Sequence, residues 1–325
     1  MLDIQHGSHG VDCVADHIRL GGVAVLPTET VYGLFGRTDD PAAIAKIYAL
    51  KGRPSNNPLI AHVLDTASAK MLTSHWPSAA DVLCAAFWPG PLTIVVPRIS
   101  TVLPQAVGGF DSIAIRSPQH QLTRAVLAAV GQPLSAPSAN RSGNVSPTCV
   151  AHVQHDYDGV IDAKDLMVLD GGPCTAGLES TVIDLTGDQP ALLRAGSVSH
   201  EAIEGVLGSP IQNVLPTSQT ASPGTRTRHY ATRTPLELVE HKDLMSALSS
   251  HMVTCVIGSV DLTIEQPHQH LVLPNSPIEA ARVLYDILRR ADATNTTRII
   301  VVKPPHTTPW QSINDRLARA ATPLK

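Results

Sequence analysis

A chain of 325 residues is long enough for two domains, and its 43% of hydrophobic residues is close to the globular norm, which excludes wholesale disorder. Its 24 lysines and arginines against 28 aspartates and glutamates give a formal net charge of −4. This balance argues against a protein whose whole surface is a nucleic-acid platform, because such surfaces are strongly basic. It leaves room for a local basic pocket.

Cysteine usage and the N-terminal sequence indicate the cellular setting. The five cysteines lie far apart with no C-x-x-C pair, so we expect reduced thiols rather than a disulfide framework or a zinc site. The opening MLDIQHGSHG lacks the basic-then-apolar pattern of a signal peptide. No apolar run approaches the ~18 residues that a membrane span needs. We therefore expect a soluble, cytoplasmic protein that makes no use of a membrane.

Short apolar runs bounded by glycine and proline alternate with helical patterns through residues 1–207. The runs predict strands at Val23–Leu26, Leu59–Val63, Leu92–Val96, Ile113–Arg116 and Thr181–Leu185. Helical spacing predicts helices at Pro41–Leu50, Leu122–Val130 and His200–Leu207. This mixture predicts an α/β domain, with a strand order that the sequence leaves open.

A stretch rich in serine, threonine, proline and glycine separates this domain from the rest of the chain. Residues 208–234 show little periodicity yet carry arginines, His229 and Tyr230, so we interpret them as a linker that forms a lid over an active site. Strands are predicted beyond it at Leu236–Val239, Val253–Ile257 and Ile299–Val302, and helices at Pro277–Ala293 and Trp310–Ala321. Residues 235–325 are thus predicted to form a second, smaller α/β domain.

Two segments early in the chain combine strand ends with polar or cationic side chains. The segment LPTETVYGL places Thr28, Glu29 and Thr30 directly after a predicted strand, where α/β proteins collect ligand groups. The segment KGRPSNNPLIAHV places Lys51 and Arg53 beside a proline-restricted loop, which suits a polyphosphate or a carboxylate. A polar turn and an ordinary basic helix end are the competing interpretations.

Later segments add further groups of the same kind. Arg116 ends a predicted strand with Ser112 on the same side by alternation, which suits a carboxylate clamp. The loop Pro133–Thr148 is dense in hydroxyl and amide groups that can replace the hydration of a phosphate or a ribose. With Arg194 after a later strand, the cations would attract small anionic ligands. The residues alone therefore predict binding of a phosphorylated small molecule.

Six ordered motifs resemble one known family. The motifs PTETVYGL, KGRPSNNPL, SAPSAN, ESTVIDL and LLRAG resemble those of the YrdC family over residues 21–207, and SPGTRTRHYA resembles the linker of its long form, the L-threonylcarbamoyladenylate synthases. The sequence INDRLARAA resembles the end of that form's second domain. The resemblance implies a curved, twisted α/β sheet enclosing a large positively charged cavity, followed by a small Rossmann-like α/β domain.

The resemblance also implies a reaction. A nucleotidyltransferase of this kind combines L-threonine, bicarbonate and ATP into threonylcarbamoyl-AMP and pyrophosphate. A tRNA threonylcarbamoyltransferase complex then moves the threonylcarbamoyl group to the adenosine beside the anticodon. Because both reactants are anions, such a site needs cations and preorganised donors more than a strong general base. Mg²⁺ would accompany the ATP, held mainly by phosphates and water rather than by a cage of protein carboxylates.

Positions that match the family motifs imply individual roles. Four residues would bind the threonine, with Arg116 pairing its carboxylate: Thr28, His62, Arg116 and Ser180. Lys51 and Arg53 would be catalytic, because they would grip the triphosphate and stabilise charge at the α-phosphorus. The other residues implied to contact ATP are Asn57, Ser112, Ser138, Asn140, Ser146, Arg194 and Tyr230.

The chain departs from the family pattern at three places. Phe35-Gly36 follows YGL where the family has Gly-Ala, and Ala195 and Thr232 stand where LLRPG and HYAP have proline. Both of these segments lose the rigidity of proline, but none of the three changes removes a charged ligand.

Two alternative functions stay open at this point. One is a non-catalytic module that presents a basic concave face to structured RNA, although the net charge of −4 disfavours this as the main role. The other is a carbamoyl-transfer enzyme of the same fold that acts on a different amine.

Overall fold

The computed structural model of the protein describes residues 2–160, 166–213, 229–249 and 252–321, so residues 214–228 of the expected lid lie outside the described part. The described chain divides into two units. The first contains most of residues 2–213, and the second contains residues 143–146, 176–178 and the described residues of the 226–325 segment. Ser146 and Tyr230 therefore belong to the second unit.

The first unit combines eleven strands with helices in the described part of the chain. The strands are β1 (Asp3–His6), β2 (Ala24–Leu26), β3 (Gly33–Arg37), β4 (Ile60–His62), β5 (Leu92–Pro97), β6 (Ser112–Arg116), β7 (Leu134–Ala136), β8 (Met167–Asp170), β9 (Thr181–Asp184), β10 (Ala191–Arg194) and β11 (Gln212–Asn213). The helices are α1 (Gly7–Arg19), α2 (Pro41–Lys51), α3 (Thr66–Lys70), α4 (Ser78–Phe87), α5 (Gln121–Val130), α6 (Val150–Tyr157) and α7 (His200–Leu207).

These strands form one mixed sheet in the order β1-β8-β2-β3-β7-β4-β6-β5-β9-β10-β11. Strands β4 and β6 are parallel, and their register places His62 directly beside Arg116. Strand β5 runs antiparallel to β6 and parallel to β9, with Thr93 beside Val182. The non-sequential order brings residues that are far apart in the chain to one end of the sheet.

Side-chain alternation divides the centre of this sheet into two different faces. One face contributes to an extensive apolar core that includes Ala61, Ile94 and Ile115. The other carries a small apolar cluster formed by Ile60, Val95, Ala114, Val182 and Leu193. We call this second cluster the apolar floor. His62 and Arg116 share its face, because each lies two residues along its strand from a floor residue.

Local signals explain why α2 begins and ends where it does. The Asp40 side chain accepts hydrogen bonds from the backbone N–H groups of Ala42 (2.9 Å) and Ala43 (3.2 Å), and Pro41 occupies the first turn. Gly52 ends the helix with φ of 61°, a left-handed conformation that favours glycine. Lys51 is consequently the last helical residue.

The second unit is a smaller α/β unit. Its strands β12 (Leu236–Val239), β13 (Thr254–Gly258), β14 (Gln269–Val272) and β15 (Arg298–Val302) form a parallel sheet in the order β12-β15-β13-β14. Its helices are α8 (Leu244–Leu248), α9 (Pro277–Asp292) and α10 (Gln311–Ala320), with short 3-10 turns at His241–Asp243 and Thr308–Trp310.

The predicted elements all occur, each with boundaries within one residue of the prediction, and the α/β fold class is confirmed. Several further elements were not predicted, among them β1, α1, β3, α4 and α6. None of the helices in the described residues has the combination of length and apolar character that a bilayer crossing requires.

The cap of α2 predicts a stability effect. Replacing Asp40 by alanine removes the acceptor for two backbone N–H groups, and we expect the free energy of unfolding to fall by about 1 kcal/mol. Urea unfolding followed by circular dichroism measures this change. Asp12, an exposed residue of α1, supplies the control Asp12→Ala. Equal effects of the two substitutions would contradict the role of the cap.

Candidate active site

Arg116 is the centre of a buried polar network at the end of β6. It is 3% exposed, its Nε donates to the carbonyl oxygen of Gly90 (3.2 Å), and its Nη1 donates to Oγ1 of Thr30 (2.9 Å). Its Nη2 lies 2.7 Å from Oε1 of Glu29, but these two atoms lack hydrogen-bond geometry, so the contact is an ion pair. The backbone N–H of Gln119 holds the other oxygen of Glu29 (3.0 Å). The arginine is thus fixed in place with its charge balanced by Glu29.

The loop after β2 is shaped by the hydroxyl of Thr28. Its Oγ1 accepts hydrogen bonds from the backbone N–H groups of Thr30 and Val31 (both 3.1 Å) and donates to the carbonyl oxygen of Val31 (2.6 Å). It also lies 2.8 Å from Oγ1 of Thr30, the group that contacts Arg116. Thr28 therefore supports the arginine network through Thr30.

His62 lies beside Arg116 as a neutral imidazole. Burial, together with the adjacent positive charge of Arg116, lowers the pKa of His62 to about 3. Its Nδ1 lies 3.0 Å from the carbonyl oxygen of Ile60, and its ring packs on Phe35 with a centroid distance of 4.8 Å. His62 can thus contact a ligand without adding a charge.

Ser180 and Arg194 form a second polar network with Thr93 of β5. The Oγ of Ser180 lies 2.7 Å from Oγ1 of Thr93 and accepts a hydrogen bond from Nη2 of Arg194 (3.1 Å). Nε of Arg194 donates to the carbonyl oxygen of Ser180 (3.0 Å). A bulge in β10 places Arg194, rather than Leu193, opposite Val182 of the floor face. That bulge aims the arginine at Ser180.

Lys51 is buried at the end of α2 against the loop that follows β7. Its Nζ donates to the carbonyl oxygens of Ser138 (2.6 Å) and of Asn140. Burial, together with the nearby charge of Arg53, holds the pKa of Lys51 well below its usual range. The hydroxyl of Ser138 donates to Oδ1 of Asn140 (2.5 Å), and the backbone N–H of Ser142 donates to the Lys51 carbonyl (2.9 Å). The serine-rich loop is therefore closed around the lysine.

Arg53 and Asn57 organise the loop between α2 and β4. Nε of Arg53 donates to the carbonyl oxygen of Asn57 (3.1 Å), and its Nη2 donates to that of Pro58 (2.8 Å). The Tyr48 hydroxyl also donates to the Asn57 carbonyl (2.9 Å). Arg53 and Asn57 are both buried, so this loop holds a cation and an amide in defined positions.

The remaining predicted residues are Ser112, Ser146 and Tyr230. Ser112 begins β6 on the same side as Arg116 but four residues away, roughly 13 Å along the strand. Tyr230 belongs to the second unit, where it is fully buried, stacks on Tyr285 (centroid distance 5.5 Å) and lies under the Arg316 guanidinium. Ser146 is also fully buried in that unit.

The sequence patterns do not indicate two residues of these networks as binding residues. Thr30 is one polar residue of its segment, and Thr93 lies within a predicted apolar strand. A threonine within the run LTIVV is a weak signal, because threonine is common in strands for its shape alone. In the described part of the chain, no three His, Cys, Asp or Glu side chains converge as metal ligands.

Comparisons with known proteins find relatives for both parts of the chain. The family model for Sua5, YciO and YrdC proteins, described as telomere recombination, matches residues 16–196, and the model for the C-terminal domain of threonylcarbamoyl-AMP synthase matches residues 198–322. A threonylcarbamoyl-AMP synthase of Bacillus subtilis is 43% identical over 232 residues, which are 69% of this chain and 64% of that protein. One from Pyrococcus abyssi is 36% identical over 301 residues, covering 88% of this chain and 86% of that protein.

The fold comparison covers nearly the whole chain. A crystal structure of Pyrococcus abyssi Sua5 complexed with L-threonine superimposes with a TM-score of 0.90 at 32% sequence identity. The match includes 99% of this chain and 97% of that one. The two-domain resemblance expected from the motifs is therefore confirmed.

The low pKa of His62 predicts a pH dependence. In the folded protein the imidazole stays neutral until the pH approaches about 3, whereas in the unfolded chain it takes up a proton near pH 6.5. Its contribution to the free energy of unfolding is consequently complete above about pH 6.5 and falls as the pH is lowered toward 3.

Proton NMR checks this expectation directly. The His62 ring signal, assigned from its loss in His62→Gln, should not titrate between about pH 5 and about pH 8. A midpoint inside that range would show that the ring is solvated or paired with an anion.

Proposed function

The chain belongs to the Sua5, YciO and YrdC family and carries the C-terminal domain of its long form, and from this we propose that it is a threonylcarbamoyl-AMP synthase. The enzyme would combine L-threonine, bicarbonate and ATP into threonylcarbamoyl-AMP, pyrophosphate and water. The observation that carries the proposal is the set of buried cations and hydroxyls on one sheet face, beside the apolar floor, in a chain similar throughout to a threonine-binding protein.

The amino-acid substrate would bind at the Arg116 network. Arginine carries five N–H groups, of which two are hydrogen bonded to described residues and one faces Glu29, so the guanidinium can still receive a carboxylate. Ser180 would supply a further hydrogen bond, and the neutral His62 would contact the bound threonine. Thr28 would act with them by shaping the loop that presents Thr30.

The nucleotide would bind along the Lys51 side of the site. Two of the three N–H groups of Lys51 donate to backbone carbonyls, which leaves one for a phosphate oxygen. A phosphate there would also raise the pKa of Lys51 again, because a nearby anion favours the charged ammonium. Arg53 would share the triphosphate. Other proposed ATP contacts are Asn57, Ser112, Ser138, Asn140, Ser146, Arg194 and Tyr230.

The chemistry follows from holding two anions together. The amino group of threonine attacks the carbon of bicarbonate, and water leaves as a carbamate forms. A carbamate oxygen then attacks the α-phosphorus of ATP, and the bond to the β-phosphate oxygen breaks to release pyrophosphate. Lys51 and Arg53 would stabilise the negative charge that develops at the α-phosphorus, and fixed cations do this without reorganisation during the reaction.

Mg²⁺ would enter as part of the nucleotide. The residues proposed to contact ATP supply hydroxyls, amides and cations, so they suit a metal bound through phosphate oxygens and water. We further propose that a tRNA threonylcarbamoyltransferase complex receives the product, which places the enzyme in the cytoplasm at the first step of tRNA threonylcarbamoyladenosine modification. In this proposal residues 1–207 carry catalysis, residues 208–234 form the lid and residues 235–325 form the small C-terminal α/β domain.

A three-substrate assay tests the proposed function. We expect purified protein with Mg²⁺ to release pyrophosphate from ATP only when threonine and bicarbonate are both present. Release without threonine, or none with all components supplied, would contradict the proposal. Turnover with another amine in preference to threonine would instead favour a different carbamoyl transfer, and salt-sensitive binding of duplex RNA without turnover would favour an RNA-binding module.

The role of Lys51 gives a sharper prediction. We expect Lys51→Ala to lower kcat by roughly 100-fold or more, because the variant loses a cation beside the α-phosphorus. Lys46, an exposed lysine of the same helix, provides the control Lys46→Ala, for which kcat should stay within about twofold of wild type. Circular dichroism and urea unfolding verify that both variants fold. Wild-type turnover in a folded Lys51→Ala protein would exclude the catalytic role.

A further inference from the structure

The hydroxyl of Thr93 has one described partner. Thr93 is fully buried in β5, and its Oγ1 lies 2.7 Å from Oγ of Ser180, which is 1% exposed. Among the described residues no other hydrogen bond involves the Thr93 hydroxyl. The contact joins side chains 87 positions apart in sequence, and it arises because β5 and β9 are parallel neighbours in the sheet.

The direction of this hydrogen bond follows from counting protons. A hydroxyl has one proton to donate and two lone pairs to accept with. If Ser180 donated to Thr93, the Thr93 proton would be buried without an acceptor among the described residues, which is the costly arrangement. If Thr93 donates, its proton is satisfied, and Ser180 accepts from both Thr93 and Arg194.

The second arrangement has a consequence for Ser180. With both lone pairs occupied, its Oγ accepts nothing more, and its own proton is the one group left for a ligand. A carboxylate or a carbamate oxygen needs such a donor, because ionised oxygens can only accept. An ammonium group would need a hydrogen-bond acceptor, and the Oγ of Ser180 offers none because both of its lone pairs are occupied.

We propose that Thr93 is a positioning residue that fixes the hydroxyl of Ser180 as a hydrogen-bond donor toward an anionic oxygen of the amino-acid substrate. This inference rests on the proposed function, which supplies that substrate. Arg194 also donates a hydrogen bond to the Ser180 hydroxyl and so helps to keep that hydroxyl a donor. Arg194, which is expected to contact the nucleotide, thus also sets the hydrogen bonding of Ser180, which is expected to bind threonine. Thr93 acts only through Ser180 and does not touch the substrate.

The test compares Thr93→Val, which keeps the shape but removes the hydroxyl, with Thr93→Ser, which keeps the hydroxyl. Calorimetry measures the Kd for L-threonine, and pyrophosphate release gives its KM and kcat. We expect Thr93→Val to raise the Kd and KM for threonine about tenfold, the effect of losing one oriented hydrogen bond, and Thr93→Ser to stay within about twofold of wild type. The KM for ATP should change less than that for threonine.

A double-mutant cycle separates positioning from a general packing defect. In a Ser180→Ala background, Thr93→Val should raise the Kd by less than about twofold, because its effect needs the serine hydroxyl. Thr254, a fully buried strand threonine of the second unit, supplies the matched control Thr254→Val, which should leave threonine binding unchanged. If the valine variant does not fold, Thr93→Ala removes the same hydroxyl.

Each outcome decides between defined possibilities. Wild-type affinity in folded Thr93→Val, an equal loss in the Ser180→Ala background, or a Thr93→Ser protein as weak as Thr93→Val would each overturn the positioning role. Wild-type protein that neither binds threonine nor releases pyrophosphate would contradict the proposed function and this inference with it. Loss of threonine affinity in Thr93→Val alone, with rescue by serine, supports both.

Discussion

The buried ion pair between Arg116 and Glu29 is the interaction on which the candidate site depends. A guanidinium removed from water is costly unless its charge is balanced, and losing one partner of such a pair leaves the other uncompensated. Glu29 supplies the balance at 2.7 Å, while Gly90 and Thr30 hold two N–H groups in fixed directions. The cation is therefore preorganised for an anionic ligand before that ligand arrives.

Other polar groups of the candidate site are also held in place by their neighbours in the fold. One face of the central strands packs in an extensive apolar core, and the other carries only the small apolar floor, with its polar groups at the strand ends. Thr93, Ser180 and Arg194 form a network beside the Arg116 network, since their strands are neighbours. Lys51 is held separately, by backbone carbonyls of the loop after β7. Two anionic substrates would thus meet groups that other parts of the protein already hold in place.

Sequence patterns predicted the elements well wherever their signal is local. Alternation and helical spacing located the strands and α2, because burial of one side imposes that period. Order in the sheet was not predictable, since it depends on pairings between distant segments. The motifs pointed to Arg116 and Ser180, but the partners of these residues were not evident: Glu29 is a carboxylate that pairs only through the fold, and Thr93 looks like an ordinary strand residue until β9 lies beside it.

The bulge in β10 makes strand register as important as residue identity. Ala191 and Leu192 pair with β9 in regular register, and the extra residue Leu193 then shifts Arg194 to face Val182. Without the bulge, regular pairing would place Leu193 opposite Val182 and turn the Arg194 guanidinium toward the apolar core on the opposite side of the sheet. A conservative substitution of Leu193 by another aliphatic residue would disturb the position of Arg194 much less. The pairing register of this strand, and not the identity of residue 194 alone, therefore decides which side of the sheet receives the arginine.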